Sequence, residues 1–200
     1  ASTYANRLNM SFDVTLGDMT AVEQVAFDPN GGSVGTTTKT VTYGSTYGTL
    51  PTPTRTNYTF DGWYTAKTGG TRVSTSTKVT TFGAHTLYAH WTGKKSTVTF
   101  DANGGSVSPT SQTATYGDAY GTLPTPTRTG YDFTGWYTAK TGGTKVDDTT
   151  TVTKTANHTL YARWTAKKFT VTFDACDGEV DPTSKIVVYG STYGELPVPT

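Results

Sequence analysis

Charged residues, cysteine and helix-forming runs are all scarce in this chain. Asp, Glu, Lys and Arg make up only 16% of the 200 residues, and the net charge of +1 offers little attraction to nucleic acid. Cys176 is the only cysteine, so no internal disulfide can form, although disulfide-free proteins can also be exported. No apolar run approaches the length of a membrane span, no signal peptide is recognisable, and runs of Ala, Leu, Glu and Lys that form long helices are missing.

Threonine, glycine and aromatic residues are abundant instead. The sequence contains 22 Gly, 13 Tyr, 8 Phe and 4 Trp. Thr, Tyr, Val, Phe and Trp favour the pleated, half-buried surface of a β-sheet, and low charge with many aromatics argues against disorder. The composition therefore predicts a folded, mainly β protein that is α+β at most.

One stretch of the sequence occurs nearly unchanged at two places. Residues 43–70 read YGSTYGTLPTPTRTNYTFDGWYTAKTGG, and residues 116–143 read YGDAYGTLPTPTRTGYDFTGWYTAKTGG. Trp63 and Trp136 are 73 positions apart (136 − 63) with no insertion between the copies, and roughly two-thirds of the aligned positions are identical. A third copy opens with YGSTYGELPVPT and runs to the end of the sequence.

This spacing divides the chain into a leader (residues 1–21), two complete units (residues 22–95 and 96–168) and the first half of a third unit (residues 169–200). The leader alternates apolar and polar residues, which predicts a strand that ends a preceding domain or caps the array. The half-unit indicates a segment cut from a longer array, and we expect it to be poorly ordered alone or to pack on the preceding unit. Because few residues link the copies, we expect an elongated, semi-rigid rod.

Each unit is predicted to open with a β-hairpin and a proline-rich connector. In the second copy Val98 and Phe100 alternate with threonines and run into a turn at Asn103-Gly104-Gly105. The two prolines between Leu123 and Arg128 remove backbone donors and hold φ, so this segment is expected to be an extended connector and neither strand nor helix.

Three further strands are predicted to complete each unit. The first contains Gly-Trp-Tyr, and the glycine before the tryptophan indicates a bulge or a close approach of another chain segment. In the first copy the other two lie around Val73 to Thr80 and His85 to Trp91. In the last strand, Tyr88 and His90 share the face opposite to Leu87 and Trp91, because side chains alternate along a strand.

The order and spacing of these residues resemble a known family. The pattern VTFDxNGG…YGxxYGxLPTPTRxGYxFxGWYT…GGxxV…HTLYAxW is similar to the internalin B-type repeat, also called the Listeria–Bacteroides repeat, from about Val22 to the end of the chain. The resemblance implies tandem units of a β-grasp-like, ubiquitin-like fold on a bacterial surface protein. It further implies an extracellular location, with cell-wall attachment through regions outside this segment, and it supplies no catalytic residue.

The histidines do not form a catalytic pattern. His85 and His158 recur at the start of a strand, and a single shared histidine in each unit indicates a structural or solvent-facing role. His90 of the first copy is replaced by Arg163 in the second. We therefore expect no role that is common to both copies at this position.

The recurring aspartates and the cysteine are not expected to bind a metal. Asp28, Asp101 and Asp174 follow the first strand of each copy, but the later acids of a calcium loop are missing. We expect their carboxylates to accept hydrogen bonds from turn amides. Cys176 has no Cys or His partner at metal-binding spacing and is interpreted as a turn residue.

The aromatic residues leave two interpretations open. A buried tryptophan provides much of the stability of a small unit, so all four tryptophans are predicted to be core residues in preference to ligand contacts: Trp63, Trp91, Trp136 and Trp164. The tyrosines either belong to the core or face outward, where they would stack on sugars or partner proteins. The second possibility applies to Tyr47, Tyr64, Tyr120 and Tyr137.

Near-identical copies without a catalytic cluster favour a non-enzymatic protein that needs no cofactor and no metal. We expect a stalk or spacer and a multivalent adhesion module, whose partners are neighbouring repeats and a surface protein or glycan of a host or neighbouring cell. The alternative is a carbohydrate- or polyanion-binding module, since the two complete units are mildly basic. The candidate ligand contacts are Tyr47, Tyr64, Lys94, Lys95, Tyr120, Tyr137, Lys167 and Lys168.

Overall fold

A computed structural model describes residues 21–200, so the strand predicted for the leader lies outside the described residues, apart from Ala21. The described part of the chain contains twelve β-strands and no helix, which confirms the prediction of a mainly β protein. It divides into two compact units, the first ending at Thr92 and the second running from Gly93 to Thr200. Within residues 21–200 the chain forms no helix with the length and apolarity needed to cross a bilayer.

The first repeat is a five-stranded mixed sheet. Its strands are β1 (Val22–Asp28), β2 (Thr38–Thr42), β3 (Tyr58–Tyr64), β4 (Arg72–Val73) and β5 (His85–Gly93). Their order across the sheet is β2-β1-β5-β3-β4. The first and last strands of the repeat therefore meet at the centre of the sheet, where β1 and β5 pair in parallel.

The second repeat has the same architecture. Its strands are β6 (Lys95–Asp101), β7 (Ser111–Thr115), β8 (Tyr131–Tyr137), β9 (Lys145–Val146) and β10 (His158–Ala166), in the order β7-β6-β10-β8-β9. The central pair β6 and β10 is again parallel. Between β10 and β8 the register shifts at Arg163 and Trp164, which lie opposite Gly135 and Phe133, so the predicted bulge is present beside the glycine that precedes the tryptophan.

Each repeat closes around a single hydrophobic core. In the second repeat the buried residues are Val98, Phe100, Ala114, Trp136, Val146, Val152, Leu160 and Ala162. Trp63 and Trp136 are only 1% and 2% exposed, which confirms their assignment to the core. Trp91 and Trp164 are partly buried and pack against the edge of their cores.

The proline-rich connector crosses each unit outside the sheet, as predicted. In the second repeat a hydrogen bond from Trp136 Nε1 to the carbonyl oxygen of Pro124, 2.8 Å long, ties the connector to the core. Leu123 packs partly buried against the same core. Because proline removes backbone donors, the segment does not form a longer ladder and is held by these side chains and by one isolated backbone bridge between Ser106 and Thr127.

The strand predicted around Val73 to Thr80 is wrong beyond Val73. The chain turns directly after β4, where the backbone N–H of Ser74 donates to Thr77 Oγ1 at 2.9 Å and the N–H of Thr77 donates to the carbonyl oxygen of Ser74 at 3.1 Å. Serine and threonine side chains offer the backbone such local partners, which compete with a strand ladder.

The third copy forms a two-stranded antiparallel hairpin of β11 (Lys168–Thr172) and β12 (Ser184–Val188). Several of its apolar side chains are exposed, among them Ile186 at 66% and Val198 at 81%. The hairpin touches the second repeat at Tyr189, whose ring centroid lies 5.6 Å from that of Tyr131. Of the two alternatives expected for this fragment, the contact agrees with packing on the preceding unit.

Candidate functional site

Tyr47 and Tyr120 do not point outward. Tyr47 is only 4% exposed, and Tyr120 packs partly buried against the core of the second repeat. Burial raises the pKa of both hydroxyl groups. The interpretation of Tyr47 as an outward ligand contact is wrong, because its side chain belongs to the hydrophobic core of the first repeat.

These buried tyrosines give the recurring histidines their role. The hydroxyl of Tyr47 lies 2.7 Å from His85 Nε2, and that of Tyr120 lies 2.7 Å from His158 Nε2. The other ring nitrogen of His85, Nδ1, lies 3.1 Å from the carbonyl oxygen of Gly83. Because a carbonyl can only accept, Nδ1 carries the proton and Nε2 accepts from the tyrosine. The expected structural role of the histidines is thus confirmed.

We expect Tyr120→Phe to lower the free energy of unfolding of the second repeat by about 0.5–1.5 kcal/mol, because the half-buried Nε2 of His158 loses its donor. Region-resolved denaturation followed by amide exchange measures this loss. Tyr193→Phe is the matched control, since Tyr193 occupies the equivalent position of the third copy and is 58% exposed. Equal stability of Tyr120→Phe and the control would contradict the assigned role.

Tyr64 and Tyr137 are half-buried, and each lies beneath a planar side chain from the last strand of its repeat, β5 or β10. The ring of Tyr64 stacks on His90 with a centroid distance of 3.9 Å and an interplanar angle of 8°. The ring of Tyr137 lies 3.9 Å below the guanidinium carbon of Arg163. His90 Nε2 lies 2.9 Å from the carbonyl oxygen of Ala66.

Arg163 makes the same two contacts as His90. Its Nη2 donates to the carbonyl oxygen of Ala139 at 3.1 Å, the position that corresponds to Ala66 in the first repeat. The expectation that His90 and Arg163 share no role is wrong, because imidazole and guanidinium are both planar donors that can cover a ring and reach a carbonyl at once. The Nε atom of Arg163 is buried without a hydrogen-bond partner.

A second tyrosine and a lysine extend this surface in each repeat. Tyr161 lies directly opposite Tyr137 across the β8–β10 ladder, and Lys140 Nζ lies 5.6 Å from its ring centroid. Lys140 also forms an ion pair of 3.1 Å with Asp101. We call the surface formed by Tyr137, Tyr161, Arg163 and Lys140, and its counterpart formed by Tyr64, Tyr88, His90 and Lys67, the outer aromatic face.

The sequence reasoning missed the lysines and the second tyrosines of the outer aromatic face. The period-two alternation of the last strand does place Tyr88 and His90 on one side, and that signal was available. No sequence signal gave the position of Lys67. This residue lies in a turn, and only the tertiary structure brings its Nζ atom to 3.3 Å from the carboxylate of Asp28.

The recurring aspartates stabilise turns, as expected. Oδ1 of Asp28, Asp101 and Asp174 accepts a hydrogen bond of 2.8 Å from the backbone N–H two residues later in all three copies. In the third copy that residue is Cys176, which has a φ of 56°. Among residues 21–200 no group of three or more His, Cys, Asp and Glu side chains is placed to hold a metal ion.

The pKa of Asp101 is lowered from its ordinary value of 3.8, first by the hydrogen bond from the N–H of Asn103 and then by Lys140. A carboxylate with a lowered folded-state pKa stabilises the fold above its unfolded pKa, and this contribution is lost as the pH falls through the folded pKa. We therefore expect the stability of the second repeat to fall below about pH 3.8, and less steeply in Asp101→Asn. Melting temperatures measured from pH 6 down to pH 2 test this, and parallel curves for both proteins would contradict it.

The linker lysines lie at the points where one strand ends and the next begins. Lys95 and Lys168 are the first residues of β6 and β11, so Lys94 and Lys167 are the only residues between consecutive strands there. Lys167 Nζ pairs with Asp132 at 3.7 Å in an exposed position. Of the eight sequence-predicted contacts, the structure thus places Tyr47 and Tyr120 in or against the core of their own repeat, and Tyr64 and Tyr137 on the outer aromatic face.

Comparison with known proteins identifies two matching stretches. Residues 24–90 and 97–163 each match the family model described as the Listeria-Bacteroides repeat domain. Internalin H of Listeria monocytogenes is 47% identical over 113 residues, which is 56% of this chain. A protein of Evansella cellulosilytica, named as a candidate membrane protein, is 33% identical over 176 residues, or 85% of this chain. The matched parts span only 20% and 25% of these two relatives.

Proposed function

Because the two matched stretches cover more than half of its length, the chain belongs to the Listeria-Bacteroides repeat family, and we propose that it is a non-enzymatic repeat segment of a bacterial cell-surface protein. In this role it serves as a stalk and as a multivalent adhesion module. The relationship to Internalin H and to the Evansella protein supports the surface location. Attachment to the cell wall would lie outside this segment.

The β-grasp-like fold belongs to the same proposal. Its support is the sheet order β2-β1-β5-β3-β4, repeated in the second unit, with a parallel pair of first and last strands at the centre. A solved structure of one repeat that superimposes poorly on ubiquitin-like sheets would remove this assignment.

The observation that carries the stalk proposal is that the histidine, arginine and lysine side chains beside the tyrosines have partners within their own repeat. In the second repeat Arg163 covers Tyr137, Lys140 pairs with Asp101, and His158 is held by Tyr120. Groups engaged in this way stabilise a small fold, and the first repeat has the same contacts with only His90 in place of Arg163. Such a unit can be multiplied to set a length or a valency without a change in chemistry.

The stalk function is tested by joining a reporter binding domain to a bacterial surface through zero, one or two repeats. We expect access of a large soluble ligand to the reporter to rise with the number of repeats. The adhesion function is tested with beads that carry one or two repeats, where avidity for host cells should rise far more than twofold if both repeats bind. Access that does not change with repeat number would contradict the stalk proposal.

A second candidate function is the binding of carbohydrate or polyanion by the outer aromatic face. The favouring observation is that a lysine of this face stands beside a tyrosine ring in both repeats, Lys67 next to Tyr88 and Lys140 next to Tyr161. Heparin binding at low salt and a glycan array test this. Lys140→Gln should weaken binding, whereas Lys185→Gln, in the acidic third copy, is the matched control. An absence of binding at low salt rules this candidate out.

A further inference from the structure

Lys167 belongs to two sheets at once. Its backbone N–H donates to the carbonyl oxygen of Gly130 at 2.9 Å and so extends the β8–β10 ladder of the second repeat. Its carbonyl oxygen accepts from the N–H of Tyr189 at 2.8 Å and so extends the β11–β12 ladder of the third copy. Since both backbone groups of this single linking residue are engaged, no freely rotating residue separates the second repeat from the hairpin that follows it.

The ring of Tyr189 rests on the backbone of Gly130. Its ring centroid is 5.6 Å from that of Tyr131, with an interplanar angle of 77°, an edge-to-face arrangement that aromatic pairs favour. A Cβ atom at position 130 would lie only 2.3 Å from the Tyr189 ring. The ring can approach this closely because residue 130 has no side chain.

The first repeat shows that the backbone conformation alone does not require glycine here. Gly130 has a φ of 78°, and the equivalent residue of the first repeat, Asn57, has a φ of 69°. Asparagine tolerates this left-handed conformation better than most residues with a side chain. Asparagine at position 130 could therefore keep the backbone conformation, but its Cβ would enter the space that the Tyr189 ring occupies.

We propose that Gly130, Tyr131, Lys167 and Tyr189 form a docking joint, through which the second repeat holds the opening hairpin of the following repeat in one orientation. The surface on the second repeat is the bare backbone of Gly130 beside the ring of Tyr131. The partner that it fits is a β-hairpin of the same chain that carries a tyrosine directly after its second strand. The proposal deepens the stalk function and rests on it, because a stalk transmits its length only if consecutive units do not pivot freely.

Gly130→Asn is the sharpest test of the docking joint. Asparagine can keep the backbone conformation, but its Cβ would collide with the Tyr189 ring, which is 42% exposed and would be displaced. We expect amide hydrogen exchange of Tyr189 and of β11–β12 to accelerate by about tenfold or more, whereas the amides of β8 and β10 stay protected. The matched control is Gly121→Asn, at a residue with a φ of 71° where an added Cβ meets no atom within 4 Å; it should leave the hairpin unchanged.

Tyr189→Ala provides an independent variant in case Gly130→Asn disturbs the second repeat itself. It removes the ring and leaves all backbone donors and acceptors in place, so it should loosen the hairpin in the same way. Unchanged exchange of the hairpin amides in Tyr189→Ala would overturn the proposal. Rapid exchange of the Tyr189 amide in the unmodified chain would overturn it as well.

The outcome for the joint is separable from the outcome for the stalk. If Gly130→Asn loosens the hairpin but reporter access does not depend on repeat number, the joint exists and the stalk function fails. If access rises with repeat number and both variants leave the hairpin protected, the stalk function holds and the joint is refuted.

Discussion

Trp136→Ala is expected to lower the free energy of unfolding of the second repeat by about 3–5 kcal/mol. The side chain is 2% exposed, and its ring centroid lies 4.9 Å from Phe100 and 5.6 Å from Phe133. Its removal would leave a cavity in a core that is built around it. It would also leave the carbonyl oxygen of Pro124 without the 2.8 Å bond from the indole nitrogen.

The measurement has to resolve the two repeats, since a chain with two units need not unfold in one step. Amide exchange of β6 and β10 under increasing denaturant reports on the second repeat alone. Trp63→Ala should produce a loss of the same size in the first repeat, and Phe82→Ala, at a side chain that is 78% exposed, should produce almost none. A loss below about 1 kcal/mol for Trp136→Ala would contradict the core assignment.

The second large effect is expected for Gly32→Ala, in the loop after β1. A Cβ atom at this position would lie 2.6 Å from the carbonyl oxygen of Thr54 and 2.6 Å from the Trp91 ring. Neither neighbour can withdraw easily, because the Thr54 carbonyl accepts from Ser33 at 2.8 Å and Trp91 Nε1 donates to Pro29 at 2.9 Å. Overpacking of this kind costs about 1–3 kcal/mol.

Gly35→Ala is the matched control for Gly32→Ala. It lies three residues further along the same loop, and an added Cβ meets no atom within 4 Å. It should be neutral or slightly stabilising, because alanine restricts the unfolded chain more than glycine does. The melting temperatures of the two variants are compared, with the unfolding of the first repeat followed by hydrogen exchange of the β1 amides. Equal melting temperatures would show that the loop yields to the extra methyl group.

Trp136→Ala and Gly32→Ala also bear on the functional proposal. The loop after β1 and the connector before β3 meet at Ser33 and Thr54, at some distance along the chain from the tyrosines of the outer aromatic face. If the repeat acts as a stalk, variants that destabilise the fold should shorten its lifetime on the cell surface. If it binds a glycan, variants on the outer aromatic face should reduce binding without loss of stability.

Local sequence patterns predicted most of the strands and turns of each repeat, with the segment after Val73 as the exception. The alternation around Val98 and Phe100 predicted a strand with one buried side, and the structure buries both residues. The prolines of the connector excluded a strand, and the aspartates at the turns were expected to accept hydrogen bonds from turn amides, as the structure shows. These features depend on neighbours within a few positions, so the sequence alone carries them.

Only the tertiary structure decided which aromatic side chains are available to a ligand. Tyr47 contacts His85, 38 positions away, and Tyr120 contacts His158 across the same interval. The hydroxyl groups of these tyrosines are therefore engaged inside the repeat. The equivalence of His90 and Arg163 appears only when the Tyr64 and Tyr137 rings are seen beneath them. Such pairs depend on how the last strand of the repeat pairs with the strand that contains Gly-Trp-Tyr, as β10 does with β8. The spacing of residues along the chain does not indicate this pairing.

The GWY stretch illustrates the division most clearly. Its sequence determined that Trp136 belongs inside and that a glycine beside it permits a bulge. The sequence did not determine that Gly130, a few residues earlier, receives the Tyr189 ring of the next copy, because that contact joins residues 59 positions apart (189 − 130). Short-range preferences determine the local backbone conformation of each repeat. Contacts between residues distant in sequence determine which side chains remain available on its surface, and these contacts are known only from the fold.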